Sequence, residues 1–159
     1  MAYVPTPSDL ARSARAGRIA WTEDYGWRPT PAGEAWLAVE MSKLPARIAI
    51  CDVMIAHEDL TIEGFDNPAR PQFEKAGADL LWGATDQFER AVAWLRTVRH
   101  TKTPTLPSYW LKHQVQRLTG GYVSNGALIA AAIHLGIRVR RSGGFSCDLA
   151  VGGRRNWQK

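Results

Sequence analysis

One stretch of the chain carries the α-helical period more clearly than any other. Leu81, Ala84, Phe88, Ala91, Leu95 and Val98 are spaced 3, 4, 3, 4, 3, which places all six on one face of a helix. Phe73, Gly77 and Leu80 continue the spacing backwards, so the helix can begin near residue 73. Asp86 and Arg90 form an i,i+4 pair in the favourable order. Arg96, Arg99, His100 and Lys102 crowd the C-terminal end, where the helix dipole favours cations.

The remaining pattern divides around this helix. Residues 8–16 read as a short helix with Ser8 as its cap and Asp9 in the first turn. Residues 18–28, with Trp21, Tyr25 and Trp27, read as an aromatic hairpin or an irregular segment around Gly26. Thr30 and Pro31 open a helix that runs to about Leu44, because Thr caps and Pro suits the first helical position. Its apolar stripe is Trp36, Leu37, Met41 and Leu44. Residues 46–56 are compatible with a buried helix or a buried strand. Pro45 and the following His57-Glu58-Asp59 favour the helix. Gly64, Asn67-Pro68 and Pro71 mark residues 60–71 as a loop. Thr103 to Pro107 is a stiff connector.

A helix follows from Ser108 to Thr119, with Leu111, Val115 and Leu118 inward and Gly120-Gly121 as the stop. Ser124 caps the next helix, with Val123 and Leu128 placed as a hydrophobic staple. Gly136 closes it as a left-handed cap, with Ile137 as apolar partner. Ile137 and Val139 then alternate with Arg138 and Arg140. After Ser142-Gly143-Gly144, Phe145, Cys147, Leu149 and Val151 alternate with Ser146, Asp148 and Ala150. This is the signature of a β-hairpin. A basic tail with Trp157 ends the chain.

The pattern predicts a mainly α protein with a C-terminal β-hairpin. An acidic helical region over residues 1–66 is expected to pack on a basic unit over 67–159 as one compact domain. The C-terminal half runs helix, helix, turn, helix, hairpin, the order of a winged helix-turn-helix.

Charge sharpens this picture. The 159 residues carry a net +5, but residues 1–80 hold eight basic and twelve acidic side chains, and residues 81–159 hold twelve basic and three acidic. A polyanion would feel the second half as a positive field. DNA is the expected partner and RNA the variant of it. An acidic protein or simple solubility are the competing explanations. Arg138 and Arg140 on the hairpin, Arg141 at its turn, and Arg154 and Arg155 in the tail are candidate phosphate contacts. Lys112 and Arg117 join them from the preceding helix. Ser124 and Asn125 offer an anion-friendly helix N-terminus. Asn125 is also the one side chain there that suits an adenine edge, alongside His134 at the far end. The helix NGALIAAAIH is otherwise so apolar that a core role competes with base reading.

Seven tryptophans are many for this length. Trp36 is expected in the core. Trp82, Trp94 and Trp110 fall beside the stripes of their helices, for packing, for a protein partner or, at Trp110, for base stacking. Trp157 is expected to be exposed. Chemistry is sparsely represented. The histidines and cysteines lack metal-ligand spacing, and no P-loop, G-x-G-x-x-G or G-x-S-x-G is present. His57-Glu58-Asp59 is an acid/base cluster or, more simply, a solvated helix end. No catalytic residue, metal or cofactor is expected. No apolar run is long enough to span a bilayer. The first residues lack the apolar core of a signal peptide, so a reducing cytoplasm with two free thiols is expected.

Two stretches carry a resemblance. SYWLKHQVQ at 108–116 followed by YVSNGALIAAAIHLGI at 122–137 resembles small proteins of bacterial plasmids, prophages and other mobile elements. They show a similar S-Y-x-L-K-H, then Y-[VI]-S-N-G, then an alanine-rich helix. The resemblance implies a mobile-element context and no particular activity. RPTPAGEAWL at 28–37 looks like the strand-to-helix junction of LysR- and MarR-type regulators, and a shared way of capping a helix explains it equally well. The expected role is a DNA-binding accessory or regulatory protein that contacts mainly phosphates. The alternative is a protein-interaction module or inhibitor acting on a host protein, through the N-terminal half or an exposed tryptophan.

Overall fold

The computed structural model describes residues 7–22, 26–65 and 81–152. The chain is mostly helical with small antiparallel sheets. It divides into two units, Met1–Leu44 and Pro45–Lys159. The boundary therefore lies upstream of the one expected near residue 66. The acidic residues from Asp52 onward belong to the second unit.

In the first unit, α1 (Pro7–Arg15) leads into strands β1 (Ile19–Thr22) and β2 (Gly26–Pro29), followed by α2 (Pro31–Ser42). The two strands pair antiparallel with Trp21 opposite Trp27, which makes the aromatic segment a hairpin. Thr30 caps α2 as expected: its Oγ1 accepts from the Gly33 amide at 3.0 Å and donates to the Gly17 carbonyl at 2.6 Å. Gly33 has a reason that local pattern does not disclose. A Cβ there would lie 1.7 Å from the Arg18 carbonyl oxygen, so only glycine lets the helix seat on the α1–β1 turn. The expected core stripe of α2 is not buried. Trp36, Leu37 and Met41 are exposed, and Trp36 is covered by the Arg18 guanidinium, 4.2 Å from its ring.

The second unit opens with α3 (Leu44–Ala56). Residues 46–56 are thus helical, and Ala46, Ala49, Ile50 and Val53 form its buried face. In place of the expected loop, Leu60–Thr61 (β3) and Gly64–Phe65 (β4) make a small hairpin. Burial of Leu60 and Phe65 holds it, with the Thr61 hydroxyl donating to the Gly64 carbonyl at 3.0 Å. Helix α4 (Thr85–Thr97) is separated at Ala84 from helical residues 81–83, and the expected helix start near residue 73 lies outside the described residues. All six residues of the predicted stripe from Leu81 to Val98 are buried. Arg90 does not reach Asp86. It donates instead to the Tyr122 carbonyl at 3.0 Å.

Strand β5 (Leu106–Pro107) occupies the end of the expected connector. Helix α5 (Ser108–Thr119) ends at Gly120, whose φ of +72° supplies the left-handed cap. Helix α6 (Asn125–His134) starts at Ser124, whose Oγ accepts from the Ala127 amide. At its far end the Gly136 amide bonds Ile133 and the Ile137 amide bonds Ala132, the paired closure that a left-handed glycine permits. Strands β6 (Val139–Arg141) and β7 (Cys147–Leu149) form the hairpin. They join β5 in the order β5-β7-β6.

Helix α6 is the centre of this unit. Every residue from Asn125 to Ala132 is buried. Helices α4 and α5, the β3–β4 hairpin and strand β6 all contact it. Alanines permit that: small side chains let neighbouring backbones approach closely, while Leu128 and Ile129 fill the remaining space.

Candidate nucleic-acid interface

The predicted anion site at the start of α6 is occupied by the protein itself. The β3–β4 hairpin lies across it. The Gly126 amide donates to the Ile62 carbonyl at 2.9 Å, and the Ser124 amide donates to Gln87 Oε1 at 2.8 Å. Asn125 Nδ2 donates to the Glu63 carbonyl at 3.1 Å and to the Phe145 carbonyl at 2.9 Å. A Cβ on Gly126 would fall 1.9 Å from the Thr61 carbonyl oxygen. Ser124 and Asn125 are 3% and 2% exposed, so neither can meet a phosphate or a base edge in this state. The physical reason is local. A helix N-terminus leaves its first amides unpaired, and here the Ile62 carbonyl, the Gln87 side chain and the Ser124 hydroxyl accept from them.

Lys112 is corrected in the same way. It is buried, with its Nζ 4.5 Å from the centre of the Tyr109 ring. Its aliphatic stem packs and its ammonium rests on an aromatic face. Arg117 is exposed on α5, where it donates to Gln114 Oε1 at 2.8 Å.

The hairpin arginines are exposed but unequal. Arg140 sits opposite Asp148 in the β6–β7 register and pairs with it at 2.7 Å. Arg141 pairs with Asp59, from the turn before β3, through both guanidinium nitrogens. Its guanidinium also lies 4.0 Å from the centre of the Phe65 ring. The hydrogen bond and charge of Arg141 hold the Asp59 carboxyl below its ordinary range, and the hydrogen bond to Asp59 holds Arg141 above its own. Arg141 thus ties the hairpin to the β3–β4 element. Arg138 differs. Among the described residues its guanidinium reaches the Lys102 carbonyl, at 3.4 Å, and no carboxylate. Arg154 and Arg155 lie outside the described residues, as does Trp157.

The segment 99–101 runs beside 150–152. The Gly152 amide donates to the Arg99 carbonyl at 2.6 Å, and the Thr101 amide to the Ala150 carbonyl at 2.8 Å. Ala150 in turn donates to the Arg138 carbonyl. This brings Lys102 beside Arg138 and Arg99 beside Gly152, two residues beyond the Ala150 that bonds Arg138. All three are exposed, as is Arg96 one turn earlier. Among the described residues no carboxylate lies within ion-pair distance of any of the four. The helix dipole explains why cations follow α4, but it says nothing of their meeting with β6. The bond from Arg138 to Lys102 joins residues 36 positions apart, and nothing local announces it.

The remaining chemistry is structural. Burial, partly opposed by the Ser108 hydroxyl, pushes the Cys147 thiol up to about 11, so it stays protonated and unreactive at neutral pH. In the His57-Glu58-Asp59 cluster, Asp59 is held by Arg141 and the His57 ring packs edge-on to Phe65. Among the described residues no group of three His, Cys, Asp or Glu side chains is placed to hold a metal ion, and no helix is long and apolar enough to cross a membrane. Trp94 is buried and Trp110 is half-buried against the core, while Trp82 is exposed with Arg47 above its ring. Comparison with family models, curated proteins and solved structures finds no match for this chain.

Proposed function

We propose that this protein binds DNA through its phosphate backbone, as an accessory or regulatory protein of a bacterial mobile element. The observation that carries the reading is the group Arg96, Arg99, Lys102 and Arg138, exposed and facing no carboxylate among the described residues. Cations that are already paired gain little from a phosphate, because a carboxylate must first be displaced. Unpaired ones release condensed counterions from the nucleic acid at no such cost. The run α4-β5-α5-α6-β6-β7, with its hairpin closed by a third strand, supports a winged-helix-like architecture. The buried α6 departs from the usual use of that architecture, in which the second helix of the pair reads the major groove. Binding through charge rather than base edges accords with that burial.

A mobility-shift titration at two salt concentrations tests the reading. Affinity for a DNA fragment falls steeply with salt. Replacing Arg99, Lys102 and Arg138 by Ala flattens the logarithmic slope by about 0.9 for each phosphate that is no longer neutralised. Absence of binding at low salt overturns it.

A second reading rests on α3, whose Ile48 and Ile55 are 54% and 77% exposed at heptad spacing. It is a protein-interaction module or inhibitor whose apolar stripe receives a partner. Partner retention through high salt and nuclease treatment, abolished by Ile48→Ser and Ile55→Ser, distinguishes it.

A further inference from the structure

We infer that the tip of the β6–β7 hairpin, with the adjoining face of α5, is a stacking site for unpaired bases of a single-stranded nucleic acid. This deepens the nucleic-acid reading above and rests on it. Phe145 and Tyr109 are 44% and 46% exposed, and their ring centres are 5.6 Å apart in an edge arrangement. His113, one turn along α5, packs edge-on to Tyr109 with centres 5.1 Å apart. Phe145 belongs by alternation to the inward-facing set with Cys147 and Leu149. The strand pairing stops at Arg141 opposite Cys147, so Phe145 falls in the turn and its side chain is presented outward.

The turn is held from both sides. The Phe145 carbonyl accepts from Asn125 Nδ2 at 2.9 Å and from the Phe65 amide at 3.1 Å. The next residues are fixed by Ser108, whose hydroxyl meets Ser146 Oγ at 3.1 Å and accepts from the Cys147 amide at 3.2 Å. Gly143 and Gly144, with φ of +90° and +64°, allow the reversal that other residues resist. Large apolar rings on a freely moving loop would lose their freedom on binding. Rings fixed in advance avoid that cost.

The charge around the rings suits a nucleic acid. Helix α5 exposes His113 and Arg117 and carries no acid. The Lys112 ammonium rests on Tyr109, and Arg117 lies about two turns further along the helix. Of the acids near the hairpin tip, Asp59 is paired with Arg141 and Asp148 with Arg140, while Glu63 is exposed in the β3–β4 turn, where its carbonyl shares Asn125 Nδ2 with that of Phe145. A duplex hides its base faces within the stack. An unpaired strand offers them, and aromatic side chains accept any base because each has a π-face.

Fluorescence anisotropy with a labelled oligo(dT) and with a blunt duplex of equal length tests this on the full chain. Oligo(dT) is bound more tightly than the duplex. Phe145→Ser weakens oligo(dT) binding about 5- to 100-fold and leaves duplex binding and its salt slope unchanged. Phe145→Trp restores the affinity, whereas Phe145→Leu, apolar but not aromatic, does not. An unchanged thermal midpoint for Phe145→Ser shows that the fold is intact, and Tyr109→Ser gives the same selective loss if it is not. Equal binding of strand and duplex, or equal loss of both in Phe145→Ser, overturns the stacking site while the phosphate reading stands. Binding to neither overturns both.

Discussion

Helices α5 and α6 are neighbours in the chain and the two members of one helix pair, yet they do opposite work. Helix α6 is the second of the pair, and all of its residues from Asn125 to Ala132 are buried. Helix α5 has the supporting position, and it exposes Tyr109, His113 and Arg117. The difference comes from what covers each. The β3–β4 hairpin lies across the start of α6 and accepts from the Gly126 amide and from Asn125 Nδ2. On the outer face of α5, Phe145 meets the Tyr109 ring edge-on, and Tyr109, His113 and Arg117 remain exposed. Order along the chain therefore does not decide which helix offers side chains to solvent, and burial does.

This contrast can be broken by substitution, because α6 is expected to respond in stability and α5 in binding. The largest effect belongs to Leu128→Ala, which opens a cavity around a side chain with no exposure and costs about 2–5 kcal/mol by urea unfolding. Gly126→Ala comes next. Its new Cβ meets the Thr61 backbone, and the forced shift costs about 1–3 kcal/mol. Tyr109→Ser and His113→Ala, on the exposed face of α5, change stability by within about 0.5 kcal/mol in the same assay. A large loss there would show that α5 is structural instead.

Smaller effects sharpen the distinction between paired and unpaired arginines. Asp148→Asn releases Arg140 from its 2.7 Å pair. It strengthens DNA binding at low salt and steepens the logarithmic salt slope by up to about 0.9 in a titration. No change would mean that Arg140 does not face the nucleic acid.

A pH-dependent effect concerns Asp59. Its carboxyl is held low by Arg141, so the pair stabilises above the ordinary Asp pKa of about 3.9 and the contribution disappears as pH falls through the lower folded value. An exposed pair of this kind contributes no more than about 1 kcal/mol. Asp59→Asn is accordingly less stable than the parent at pH 7, and the two converge under acid. A difference that persisted under acid would place the effect in packing against Phe65 rather than in charge.

Local physics made much of the fold legible. The stripe from Leu81 to Val98, the Thr30 and Ser124 caps, and the Gly136 closure each depend on residues a few positions apart, and each appears where the spacing put it. The stripe of α2 was equally visible, but a stripe names only the face that could be buried. Trp36 found the Arg18 guanidinium instead of a core. The β3–β4 hairpin was invisible, since two residues per strand carry no period. The candidate site was legible as a set of cations and illegible as a surface. Lys112 looked like Arg117 in the sequence, and one is buried while the other is not. Tyr109 escaped notice beside Trp110, because a one-residue step along a helix turns a side chain by roughly 100°, from core to solvent.

The sequence by itself determined a mainly helical chain with a basic C-terminal hairpin, the caps at Thr30, Ser124 and Gly136, and a net charge of +5. It also determined that α6 would be apolar enough for a core. Only the tertiary structure decided which cations are free. Arg141 meets Asp59 across 82 positions and Arg138 meets Lys102 across 36. Helix caps and stripes are set by neighbours in the chain. Ion pairing and burial are set by neighbours in space, and the fold chooses those.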